Sequence, residues 1–256
     1  MFLAPFEAPM LKIERAKRHL QELETTITEY QRRARPTFVK TDREINPWEV
    51  RIAEQVPKGI PLIVGDIAHS LRSALDVMLC DIAALRDVGL QDMAFPFADS
   101  AEKFKDKLAA PNKTSAFKKL GGDVIRLIEE SQPFNGGNKL LRGLHDINNQ
   151  DKHRMALPMF AFLSCSWDRA SMFRKANAGL TIITLEGSLL GLEVGKPIEE
   201  FLYVKFPFDC IAFNENPVIL MFPDGYFFQR EQYLPKMNSL IDHVAEKVEI
   251  FKSTVV

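Results

Sequence analysis

Apolar residues recur in steps of three and four across residues 10–34, where Ile13, Ala16, Leu20, Leu23, Ile27 and Tyr30 make one seam. That period lines the six side chains along one face of an α-helix. Glu14, Arg15, Lys17, Arg18, Glu22 and Glu24 occupy its other faces, and Pro36 ends it after the basic tail QRRAR. Such a tail complements the negative end of the helix dipole. Residues 37–56 turn extended: TFVK and WEVRIAEQV flank the turn-forming DREINP, which predicts a β-hairpin.

The helical period returns near Gly65-Asp66. Ile67, Leu71, Ala74, Leu75, Met78, Ile82 and Leu85 form a core-facing stripe, while Asp66, His69, Arg72, Ser73 and Asp76 share the opposite side. Further along that polar side come Cys80, Ala83 and Ala84, small residues that suit packing better than water. MAFPF at 93–97 reads as a loop whose aromatics seal the core. Residues 101–131 predict one or two short helices with a break at Gly121-Gly122, and SQPFNGGN predicts a turn.

Asn138 is placed to cap the next helix, KLLRGLHDINNQDKHR at 139–154. Its apolar side is Leu140, Leu144 and Ile147, and Arg142, His145, Asn149, Lys152 and His153 share the other. Asp151 projects toward the apolar side and needs a cation, for which Arg72 or Arg154 is suited.

After Leu157 the pattern becomes β-rich. MFAFLSC, GLTIITLE, EEFLYVKFPF and NPVILMF are separated by Gly, Pro or Asn, predicting an antiparallel meander. A last helix over 231–252 carries Leu234, Met237, Ile241, Val244, Val248 and Phe251 on a seam matching that of the first. The expected fold class is α+β, a single domain over 1–256. It comprises a first helix (10–34), a hairpin (37–56), a helical core (58–154), an antiparallel sheet (155–228) and a closing helix (231–252).

A net charge of −1 over 256 residues argues against a chain that coats nucleic acid by charge alone. The most basic local segment, with Lys103, Lys105, Lys107, Lys113, Lys118 and Lys119, is the best candidate for a nucleic-acid backbone; a solvated lysine face is the plainer reading. The cysteines Cys80, Cys165 and Cys210 are scattered, as in a reduced cytoplasm. MFLAPFEAPM lacks the basic region of a signal peptide, and no apolar run reaches the roughly 20 residues of a membrane span. A soluble, cytoplasmic protein without a membrane partner is expected. The matching seams offer a homodimer contact as one use of the first and last helices. Phosphate loops, GxSxG elbows and HExxH helices are missing, so no cofactor or metal site is expected.

GDIAHSLRSALD (65–76), FPF (95–97), IEESQPF (128–134) and LHDINNQDKHR (144–154) resemble, in that order, the motifs of an uncharacterised bacterial protein family. The likeness covers about residues 47–156 and implies no activity. A second resemblance is to HEPN domains, helical bundles that include metal-independent ribonucleases of toxin and phage-defence systems. It implies RNA as partner and substrate, with His145 or His153 as acid–base, Arg72 and Arg154 on phosphate, and Asp76 or Asp151 as orienting groups. The arginine expected ahead of Asn149 and His153 is missing from that spacing. A third resemblance, of His69, His145-Asp146 and Asp151 to the metal ligands of HD-type phosphohydrolases, departs from the pattern because Asp151 follows too closely.

The candidate site residues are thus His69, Arg72, Asp76, His145, Asn149, Asp151, Lys152, His153 and Arg154. The non-enzymatic alternative is that His69, Arg72, Asp76, Asp151 and Arg154 form a buried network locking two helices of an interaction or assembly module.

Overall fold

The computed structural model describes residues 3–40, 42, 48–52, 54–90, 93–109, 117–154, 160–167, 189–193, 211–222, 227–229 and 231–256. Residues 1–256, expected to be one domain, group by their contacts into two compact units: 1–24, 59–157 and 234–256 form the first, and 25–58 with 158–233 the second.

The first unit is helical. It holds the start of α1 (Glu7–Arg33), then α2 (Gly59–Leu85), α3 (Ala101–Ala109), α4 (Gly122–Ser131), α5 (Lys139–Arg154) and nearly all of α6 (Tyr233–Val255). Its core holds most of the set that the three-and-four spacing picked out: Ile13 and Ala16 of α1, Leu71, Leu75, Met78 and Ile82 of α2, and Val244, Val248 and Phe251 of α6 are fully buried, whereas Leu85 at the end of α2 is exposed and Leu20 and Leu234 are half-buried. The seams of the first and last helices are therefore filled within one chain. Their burial lends no support to a dimer through them.

α2 begins six residues before the expected Gly65-Asp66. Its first turns, GIPLIV, have no polar face to set a period, and Ile60, Pro61, Ile63 and Val64 are all buried. Pro61 is tolerated because the first N–H groups of a helix have no partner within it.

Short signals place the connections. Ser100 Oγ accepts from Lys103 N–H (3.2 Å) at the start of α3, and Asn138 Oδ1 accepts from Leu141 N–H (3.0 Å) as the cap of α5. Gly121 takes φ +100° just before α4, a left-handed conformation that favours glycine. The turn between α4 and α5 is tight. Gln132 has φ +45°, its carbonyl accepts from Asn138 N–H (2.8 Å), and a Cβ on Gly137 would sit 2.4 Å from that carbonyl oxygen. Gly137→Ala is expected to destabilise the protein by about 2 kcal/mol, since backbone rather than a side chain must yield; an unchanged denaturation midpoint would contradict this packing.

The second unit holds the end of α1, a hairpin and three further strands. β1 (Pro36–Lys40) pairs antiparallel with β2 (Trp48–Ile52), Pro36 opposite Ile52 and Lys40 opposite Trp48, as the hairpin pattern predicts. Arg33 Nε reaches Glu54 Oε1 (2.8 Å), and Gln31 Nε2 donates to the Val218 carbonyl (2.6 Å). β3 (Phe160–Trp167) lies between β4 (Leu189–Glu193) and β5 (Ile211–Met221), antiparallel to both, with a register break beside Ser164. The expected segments GLTIITLE and EEFLYVKFPF lie outside the described residues. No helix among the described residues is long and apolar enough to cross a membrane.

Candidate functional site

The polar faces of α2 and α5 meet in the first unit through the loop FPFAD, residues 95–99. On α2, Arg72 and Asp76 are one turn apart and paired. Together they embrace one residue of the loop: Arg72 Nη2 donates to the Phe95 carbonyl (3.1 Å), and Phe95 N–H donates to Asp76 Oδ1 (2.8 Å). An i, i+4 pair here satisfies a buried residue's backbone as a neighbouring strand would.

α5 repeats the device with Arg142 and Asp146. Arg142 Nη1 donates to the Ala98 carbonyl (2.9 Å) and to Asp99 Oδ1 (3.2 Å), while Nη2 donates to Asp146 Oδ1 (2.6 Å). Its side chain is only 10% exposed. Lys107 Nζ of α3 donates to the Phe97 carbonyl, and Ala98 N–H donates to the Pro133 carbonyl (3.1 Å). Five backbone groups of the loop, on Phe95, Phe97 and Ala98, are thereby held from four directions.

Phe97 is the hub. The Arg72 guanidinium lies 4.3 Å from its ring centroid, and the His145 imidazole stacks on the same ring at 4.8 Å with an 8° interplanar angle. Phe95 packs against Phe97 and, edge-on, against Phe251 of α6. Asn149 Nδ2 sits 3.0 Å from His145 Nε2, so Nε2 accepts and the ring proton is on Nδ1, which is buried without a partner among the described residues.

The electrostatics follow from this crowding. Burial, then the charges of Arg72, Arg142 and Lys107, push the His145 pKa down to about 4. Burial raises the pKa of Asp146 against the pull of Arg142. Asp99 is held lower, first by its hydrogen bond from Lys103 and by that ammonium's charge, then by Arg142.

Of the predicted site residues, Arg72, Asp76, His145 and Asn149 are brought together. His69 is not: it is exposed on α2. His69→Ala is accordingly expected to change stability by no more than about 0.5 kcal/mol in a denaturant melt. The side chains of Asp151, Lys152, His153 and Arg154, in the last turn of α5, lie outside the described residues. Arg72 gives bonds to Asp76 and Phe95, and the helices are joined through the loop between them. Among the described residues no group of three or more His, Cys, Asp or Glu could share a metal, and the side chain of Asp151, the last of the phosphohydrolase-like set, lies outside them. Arg142, Asp146, Lys107 and Phe97 belong to the network and were not expected there. The signal was present, since Arg142 and Asp146 repeat the spacing of Arg72 and Asp76.

The chain matches no family model, no curated protein and no solved structure. The resemblances drawn from its sequence rest on the motif residues alone.

Proposed function

We propose that the His/Arg/Asp motif is a structural clamp and that the chain is a non-enzymatic interaction or assembly module. The observation that carries this reading is the use of the two arginines. Each is paired one turn along its own helix and donates from a terminal nitrogen to the loop backbone at Phe95 or Ala98, while Arg142 Nε is buried with no partner among the described residues. A guanidinium so committed has little left for a substrate phosphate. His145 supports the same reading, because an imidazole that stays neutral down to about pH 4 is not the charged form that serves as a general acid near neutrality. In this proposal residues 155–228, where β3 pairs with β4 and β5, supply the antiparallel sheet of an α+β chain.

The competing reading is the HEPN-like ribonuclease, acting through His145 or His153. RNA cleavage in EDTA separates the two. The clamp predicts no cleavage by the purified chain beyond that of a His145→Ala/His153→Ala variant. Metal-independent cleavage that this double substitution abolishes would overturn it.

A further inference from the structure

Away from the clamp, the exposed face of α1 carries a hollow of about 400 Å³ lined by Arg15, Arg18, His19 and Glu22. The four residues follow the i, i+3, i+4, i+7 spacing of one helix face. We propose that this hollow binds the phosphate group of a small phosphorylated molecule, with Arg15 and Arg18 as its anion fork.

Three observations converge on that assignment. The carboxylates that could neutralise the two guanidiniums are directed elsewhere: Glu14, one turn before Arg18, pairs with Lys17 (2.7 Å), and Glu22 faces His19 (3.4 Å). Neither Arg15 nor Arg18 makes an ion pair with a described residue. Arg15 is instead oriented by a relay. Its Nε donates to His19 Nε2 (3.4 Å), so that nitrogen accepts, and the ring proton on Nδ1 is turned to Glu22 Oε2. Fixing Arg15 through Nε leaves its two terminal nitrogens for a ligand.

A phosphate monoester carries about −1.5 to −2 at neutral pH and offers three acceptor oxygens, enough to engage both forks, whereas a carboxylate brings a single charge. The hollow is open to solvent rather than enclosed, leaving room beside the phosphate for the rest of a small molecule. This points to a small phosphorylated compound.

The test is an NMR titration of the full ¹⁵N-labelled chain with inorganic phosphate at constant ionic strength. Sodium acetate and a short RNA serve as parallel arms. Saturable shifts confined to amides of residues 15–22 are expected. They should weaken at least about tenfold in Arg15→Gln/Arg18→Gln, which loses both forks, and persist in Lys17→Gln. All three substitutions are on exposed positions, and the unchanged remainder of the spectrum reports folding. No saturable response, an equal response to acetate, or an unaltered response in the double variant would overturn the site. Tighter binding of RNA through the same amides would overturn the small-molecule assignment.

Discussion

Arg142→Met is expected to destabilise the protein by about 3–5 kcal/mol, the usual cost of breaking a buried ion pair from one side. The methionine fills similar space but strands several groups at once. Asp146 keeps a carboxylate whose side chain is 24% exposed, and the Ala98 carbonyl loses its donor. For a chain of this size the loss corresponds to a melting temperature lower by roughly 10 °C. Arg142→Lys keeps the charge but not the fork that reaches Ala98, Asp99 and Asp146 together, so it should recover only part of the loss. Thermal melts of the three proteins check this. A methionine variant as stable as the parent would mean that the loop is held without α5.

The second large effect is on pH dependence. In the unfolded chain His145 takes up a proton near pH 6.5; in the fold burial and three neighbouring cations delay this to about 4. The unfolded state therefore binds the extra proton first as the pH falls. The contribution of neutral His145 is complete above about 6.5 and is lost progressively between 6.5 and 4, by on the order of 2–3 kcal/mol. Burial lowers the His243 pKa, which adds to the loss, whereas the raised pKa of Asp146 acts against it. His145→Phe keeps a flat ring for Phe97 and removes the proton. Its stability should fall less steeply than the parent's between pH 6.5 and 4, as read from urea midpoints across that range. Parallel curves for parent and variant would show that His145 titrates freely.

Much of the helical unit is legible in the sequence, because period and punctuation are local. The seam of α1, the Gly121 break and the Asn138 cap each depend on residues within one or two turns, and the structure has them where the pattern places them. The start of α2 was hidden, since GIPLIV is apolar even at the exposed Leu62 and so carries no period. The clamp was half legible. Charges spaced i, i+4 on two polar faces marked Arg72, Asp76 and His145, but the partners of Arg142 lie 44 and 43 residues away, at Ala98 and Asp99. No spacing rule reaches across that distance. The loop was identified by its aromatics, while its role as the element gripped by both helices came from its backbone groups, which every sequence shares.

The central claim is that Arg72, Phe97 and His145 act as one mechanical unit. A double-mutant cycle on Arg72→Met and Phe97→Leu, followed by thermal and urea denaturation, measures it most directly. The clamp predicts that each single variant melts several degrees below the parent. It also predicts that the double variant loses clearly less than their sum, because removing the ring already removes the surface on which the guanidinium lies. Single variants that melt like the parent, or losses that simply add, would contradict it.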